Sequence, residues 1–402
     1  MDPRVNPYTP NAGARPPVLV GRDAELGAFD VLLARIAAGH AEQSLIVVGL
    51  RGVGKTVLLG EFRQHALDQG WRVVEIEIAK WDDNQFRASL AREVRRVLHG
   101  MAAAGRWSDA LRRAAGVLKS FTLSIDPEGR LTVGLDVDPR AGFADSGDLN
   151  SDLTDLLVSL GEAARDRGTG VVLLFDELHF LSSIQMEALI AAIHRTVQHA
   201  LPITAAAAGL PQIHELVGNA KTYAERLFRF AELGRLGSSD AERVLREPAA
   251  RLGVGFSDEA IRGGLDFSEG YPYFLQEFGQ AAWTAAAGRE ITGRDADIAR
   301  TAVEEKLDSG FFKVRLDRTT ELERTYLRAM AELGADPQPA GHVAELLGRS
   351  SPQCGPIRKQ LIDKGLLYAT GHGYAAFTVP KFDDYLKRAI PTLTRPSPPR
   401  SD

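Results

Sequence analysis

Apolar runs four to seven residues long alternate with amphipathic stretches along the first half of the chain. Ser44-Leu45-Ile46-Val47-Val48, Val171-Val172-Leu173-Leu174-Phe175 and the segment 202–208 are nearly continuous in apolar character, as buried parallel strands are. Arg72-Val73-Val74-Glu75-Ile76-Glu77-Ile78 alternates and reads as a further strand. Helical spacing covers 55–69, 84–103, 107–119, 149–167 and 183–199, and Asp23 opens an earlier helix. Strands alternating with helices predict an α/β fold, a parallel sheet covered on both faces with its ligand site at the carboxyl ends of the strands. Between these elements, Phe121–Ile125 and Leu131–Leu135 flank Asp126-Pro127-Glu128-Gly129-Arg130 and predict an inserted β-hairpin at 121–135. Beyond about 235 the strand pattern stops, and four helical segments run to about 309. The last stretch predicts helices over Thr320–Leu333, Pro339–Leu347 and Ser351–Lys364. Two strands, Leu366–Ala369 and Tyr374–Val379, follow in winged helix-turn-helix order. The expected organisation is a flexible arm at 1–17, an α/β core at 18–234, a helical lid at 235–310, a winged helix at 311–390 and a tail at 391–402.

The chemistry sits at two strand ends. Gly49-Leu50-Arg51-Gly52-Val53-Gly54-Lys55-Thr56 is a complete G-x-x-x-x-G-K-T loop between a strand and a helix, the context that motif requires. Its glycines let successive backbone N–H groups face a phosphate, and the helix N-terminus adds positive potential. Lys55 is expected to reach the outer phosphates and Thr56 to hold Mg²⁺. The second strand ends in Asp176-Glu177. Asp176 is the expected second Mg²⁺ ligand, and Glu177 the group that polarises an attacking water. This pair predicts hydrolysis as well as binding. Asp176-Glu177-Leu178-His179 also spells D-E-x-H, the box of one helicase class. No second arginine-rich motor motif accompanies it, so His179 reads as a surface or helix-start residue.

Composition narrows the class. The 402 residues are 44% hydrophobic and 25% charged, enough for two or three folded units, with pI near 6.0. No stretch approaches the roughly 20 apolar residues of a membrane span, and the N-terminus has no apolar signal core, so a cytoplasmic protein without a membrane partner is expected. One cysteine, Cys354, excludes an internal disulfide and a cysteine-cluster zinc site. Net charge is −5, yet from Phe311 onward 14 Lys/Arg face 10 Asp/Glu, so a basic tail domain follows an acidic body. Arg358, Lys359 and Lys364, on the third helix of that domain, are the candidate contacts to double-stranded DNA.

Taken in order, these motifs resemble AAA+ ATPases of the origin-recognition type and their relatives that shade into the STAND signalling ATPases. The resemblance spans about 18–390. It implies a P-loop NTPase sheet with a helical lid and a C-terminal winged helix-turn-helix, binding ATP with Mg²⁺. Val20-Gly21-Arg22-Asp23-Ala24-Glu25-Leu26 resembles the family's opening segment, whose backbone lies against adenine, and Gly270-Tyr271-Pro272 resembles the Gly-x-Pro motif of the lid. Nucleotide contacts are therefore expected at Val20, Gly21, Arg22, Gly49, Gly52, Val53, Gly54, Lys55, Thr56, Val57 and Pro272. Arg226, with Arg229 second, lies where the family places an arginine finger, a role that needs a neighbouring subunit. Ala207-Ala208-Gly209 stands where a polar sensor is usual, and no sensor arginine accompanies the lid motif. Both losses predict slow, partner-stimulated hydrolysis.

Two functions fit these features. One is a nucleotide-dependent switch that binds DNA through its winged helix. The alternative is a STAND-like signalling or defence ATPase whose winged helix makes protein contacts, with a homo-oligomer or a protein as partner.

Overall fold

The computed structural model describes residues 1–102, 107–123 and 137–393. Its first half runs α1 (Asp23–Ala37), β1 (Ser44–Val48), α2 (Lys55–Asp68), β2 (Arg72–Glu77), α3 (Asp83–Met101), α4 (Asp109–Leu123), α5 (Leu149–Asp166), β3 (Val171–Asp176), α6 (Ser183–Gln198), β4 (Ile203–Gly209), α7 (Ile213–Ala220), α8 (Ala224–Leu227) and β5 (Phe228–Glu232). The five strands form one parallel sheet in the order β2-β3-β4-β1-β5. Successive strand residues feed opposite cores, as the two-residue period requires. Leu45 and Val47 of β1 pack with Phe29, Leu33 and Phe62 of α1 and α2, while Ile46 and Val48 join the core of α3–α6. Central β4 carries four consecutive alanines, Ala205–Ala208, all buried.

β5 was not expected from the sequence. Its short Phe-Arg-Phe-Ala-Glu stretch is only half covered, at the sheet edge beside β1, so no apolar run announces it. Residues 121–123, expected to begin a hairpin, instead finish α4, where Phe121 is buried among helices. Residues 124–136, the rest of that expected hairpin, lie outside the described residues.

The second half contains α9 (Ser238–Ala250), β6 (Gly255–Phe256), α10 (Asp258–Ser268), α11 (Pro272–Ala285), β7 (Glu290–Ile291) and α12 (Gly293–Lys306). A π turn at 307–312 carries α12 directly into α13 (Lys313–Asp317). Then follow α14 (Glu321–Leu333), β8 (Gln338–Pro339), α15 (Ala340–Leu346), α16 (Ser351–Asp363), β9 (Leu367–Gly371), β10 (Tyr374–Phe377) and α17 (Phe382–Ala389). The last strands form an antiparallel sheet ordered β8-β10-β9.

The expected boundary at 310/311 falls inside this continuous helical run. Phe312, in the π turn, stacks on Tyr385 and packs on Phe382, so the lid and the C-terminal unit share one core. The N-terminal segment joins that core too. Where a flexible arm was expected, Tyr8 is 2% exposed, its hydroxyl donates to Leu245 O, and Asn6 and Thr9 bond to α11. Trp283 Nε1 donates to Asp2 O at 3.0 Å. Gly279 accommodates the strap, since a Cβ there would lie 2.5 Å from the Tyr8 ring. Among the described residues no helix is long and apolar enough to cross a membrane.

Tyr8→Ala removes an aromatic ring from a closed core and is expected to destabilise the chain by about 3 kcal/mol. Urea unfolding monitored by circular dichroism reads this directly. An unchanged midpoint would show that the strap is not part of the core.

Candidate active site

The loop after β1 turns because Gly52 and Gly54 take positive φ, 82° and 93°. Gly49 is required for a different reason. A Cβ there would lie 2.3 Å from Leu233 O and 2.9 Å from Val53 Cγ2, so any side chain would break the join between the loop and the strand behind it. The loop delivers its helix at Lys55. The lysine amine is buried and donates to Gly49 O and Leu50 O, both at 2.8 Å. Burial pushes it down to about 8, with Glu177 opposing that fall and Arg51 adding to it.

β4 lies between β1 and β3, and the carboxyl ends of all three open on one crevice. Across it, Thr56 Oγ1 donates to Asp176 Oδ2 at 2.6 Å, and Asp176 Oδ1 accepts from Glu177 N at 2.8 Å. A hydroxyl and a carboxylate set together like this offer the oxygen ligands that Mg²⁺ takes. Glu177 is half-buried, which raises its carboxyl above the usual range against the pull of Arg51 and Lys55. Arg51 Nη1 stands 3.4 Å from Glu177 Oε1.

Of the other segments expected to contact nucleotide, two touch the loop, through Arg22 and through Tyr273 beside Pro272. Arg22 is buried and donates to Val53 O at 3.1 Å and Gly234 O at 2.9 Å, tying the opening segment to the loop. Val20 is buried in the lid core, and Gly21 (φ 66°) has no room for a side chain, since a Cβ would lie 2.7 Å from Asp240 Oδ2. Val57 is half-buried one residue past Thr56, and Pro272 opens α11. Tyr273, next in line, donates its backbone N–H to Gly52 O at 3.1 Å.

Other expected residues are placed differently. Arg226 and Arg229 are exposed, on α8 and edge strand β5, away from the loop's own lysine. Lys364 is not a free surface cation: its amine meets Glu323 Oε2 at 2.6 Å and Arg318 O at 3.1 Å. Arg358 is half-buried and its Nη1 is enclosed without a hydrogen-bond partner among the described residues, its charge acting on the Tyr326 phenol. Lys359 and Lys364 are both exposed, but of the two only the Lys364 amine has an ion pair among the described residues. His179, read as a surface or helix-start residue, lies in a short helical turn at 178–180, but its side chain is fully buried against Glu177. Thr204, the one polar residue of β4, pairs with Ser44 Oγ at 3.2 Å at the far end of the strand.

Sequence reasoning also missed Arg51 and Thr378. The Arg51 backbone N–H donates to Thr378 O at 3.0 Å, so the phosphate-type loop is bonded to the C-terminal unit. Lys80, just after β2, reinforces that docking by donating to Asp363 O at 2.6 Å. Arg315, stacked on Phe311 beside Tyr273, is lowered to about 10 by burial and by Arg51. No sequence motif signals the two docking bonds, from Arg51 to Thr378 and from Lys80 to Asp363, because each joins segments more than 250 positions apart.

This sheet, loop and acidic strand end define a P-loop NTPase. More particularly, residues 18–205 match the model of the AAA ATPase domain, and residues 309–386 match a domain of unknown function, DUF8462. No curated protein matches the chain in sequence. Among solved structures, a Walker-type ATPase of Pyrococcus abyssi shares the fold with a TM-score of 0.58 at 14% identity, over 93% of this chain and 97% of that one. Cdc6p from Pyrobaculum aerophilum (TM-score 0.46, 15% identity, 97% and 99% covered) is also similar. So is the Orc1 protein of Aeropyrum pernix, solved in complex with DNA (0.43, 16%, 93% and 94%). The similarity to the AAA ATPase domain lies in residues 18–205, and the chain as a whole shares its fold with the Walker-type ATPase.

Lys55→Ala is expected to weaken ATP binding by at least about 10-fold, the loss of one charge-assisted contact. Binding has a definite pH signature. A lysine titrating at about 8 is half-neutral at pH 8, and a triphosphate favours its charged form, so binding there takes up protons. Affinity falls as pH rises above that value. Calorimetry at pH 8 in two buffers of different ionisation enthalpy measures the uptake, and identical heats would contradict the placement of Lys55.

Proposed function

We propose that the chain is an ATP-hydrolysing switch whose lid and C-terminal unit act as one body on the phosphate-binding loop. The observation that carries this reading is the bond from Arg51 N–H to Thr378 O, on the same residue whose guanidinium faces Glu177. ATP docks its phosphates on the Gly49–Lys55 backbone, and Lys55 moves from the loop carbonyls to the phosphate oxygens. Thr56 and Asp176 would hold Mg²⁺, which would supply positive charge to the phosphates. Glu177 orients and polarises the attacking water. Because Arg51 sits in the loop, any rearrangement of the loop strains its bond to Thr378. The shared core then carries that strain through Phe312 to the whole C-terminal unit.

In this reading α14–α16 with the β8-β10-β9 sheet form a winged helix. Contact with double-stranded DNA through its α16 face is the input we propose, supported by the net positive charge of the region and by exposed Lys359. The second reading, in which the winged helix serves protein contact, is favoured by the ion pair of Lys364 with Glu323 and by the partial burial of Arg358. Exposed Arg226 is proposed as a finger offered to a neighbouring subunit. The alanine-lined end of β4 supports slow turnover without a partner.

Steady-state ATP turnover with and without double-stranded DNA tests this. Glu177→Gln is expected to bind ATP and lose about 100-fold or more in turnover. Lys80→Glu, which removes a docking bond and places like charge near Asp363, is expected to raise basal turnover and shrink any stimulation by DNA. Stimulation absent in the wild-type chain would assign the winged helix to protein contact, and normal turnover in Glu177→Gln would remove Glu177 from the mechanism.

A further inference from the structure

Glu177 adopts left-handed backbone (φ 53°, ψ 36°), an uncommon conformation for a residue with a side chain. The turn it makes brings His179 back beneath the carboxylate, with no part of the imidazole exposed. His179 Nδ1 accepts from Leu210 N–H at 3.3 Å, immediately beyond β4. That bond places the proton of a neutral ring on Nε2. Nε2 faces Glu177 Oε2 at 3.3 Å, too poorly aligned to count as a formed hydrogen bond, and neither atom has another hydrogen-bond partner among the described residues. Two buried polar atoms left facing each other require an explanation.

The end of β4 supplies the context. Ala207, Ala208 and Gly209 offer no polar side chain, and a Cβ at Gly209 would lie 3.5 Å from His179 Nδ1. The ring therefore occupies the space beside Gly209 and takes up the first backbone donor after the strand. We infer that His179 is the positioning residue for Glu177, anchored on Leu210 N–H and donating Nε2–H to Oε2. Holding Oε2 fixes the rotation of the carboxylate and aims Oε1 at the water. A contact that is long without nucleotide tightens in the reacting complex. Arg51 stands on Oε1 and is displaced from it by the same step. The inference rests on the reading of Glu177 as the group that polarises water.

Two amide variants separate this role from simple packing. In His179→Gln the amide nitrogen stands where Nε2 was and still donates to Glu177. In His179→Asn the amide oxygen stands where Nδ1 was and still accepts from Leu210 N–H. Positioning predicts that Asn lowers kcat by about 10-fold or more with KM for ATP little changed, and that Gln restores turnover well above the Asn variant. The reverse order, or wild-type kcat in both, overturns the inference. Glu177→Gln in the same assay keeps the two readings apart. If it turns over normally, the reading of Glu177 fails; if it is inactive while His179→Asn is normal, only the role of His179 fails. Nitrogen-15 NMR of histidine-labelled full-length chain gives an answer independent of turnover. A neutral Nε2–H ring at His179 whose Nε2 resonance moves in Glu177→Gln is expected. An Nδ1–H ring, or an Nε2 resonance indifferent to that substitution, overturns the proposal.

Discussion

Everything in this chain meets at the seven residues Gly49–Lys55. Their conformation depends on three glycines, two needed for positive φ and one for the absence of a Cβ against Leu233. The same segment receives the Arg22 guanidinium through Val53 O, the lid through Gly52 O and the C-terminal unit through the Arg51 N–H. A backbone committed to so many partners cannot move in one place alone, because packed cores and interfaces shift between discrete arrangements rather than deforming continuously. In the proposed account, phosphate binding is therefore felt at once by the lid and by the C-terminal unit.

The electrostatics follow from that crowding. Lys55 and Arg51 set two cations beside Asp176 and Glu177, Arg315 adds a third that acts on Arg51, and burial depresses Lys55 and Arg315. Such an excess favours a polyanion and disfavours the empty state. Glu177 is the most constrained group there, with Arg51 at one oxygen and His179 at the other, on a turn of left-handed backbone.

Much of this was legible in the sequence. The P-loop and the Asp-Glu strand end announce themselves because phosphate chemistry demands particular residues at fixed spacing. The apolar strands β1, β3 and β4 do so because a doubly covered strand leaves few polar positions, and β2 does so by its alternation. Other features were hidden for physical reasons. Edge strand β5 is half polar, so it lacks a strand pattern. The Pro- and Gly-rich residues 1–17 look like an arm, yet Tyr8 finds a slot only because α11 has Gly279 opposite it. The helical pattern places a boundary at 310/311 where the winged-helix order begins, but a π turn carries the helix through and Phe312 lies in the core that both units share. Lys364 and Arg358 look basic in sequence, and only the fold reveals that Glu323 pairs with Lys364 and that Arg358 is half-buried. The burial of His179 is not legible in the sequence because its partners, Leu210 N–H and Glu177, depend on a backbone turn rather than on spacing.

The central claim is that nucleotide on the loop and docking of the C-terminal unit are one equilibrium. Hydrogen–deuterium exchange on the Glu177→Gln chain, with and without ATP and Mg²⁺, tests it most directly. The account predicts that peptides covering 49–56 and 365–379 change exchange together over the same ATP titration. Protection of 49–56 while 365–379 stays unchanged would contradict it.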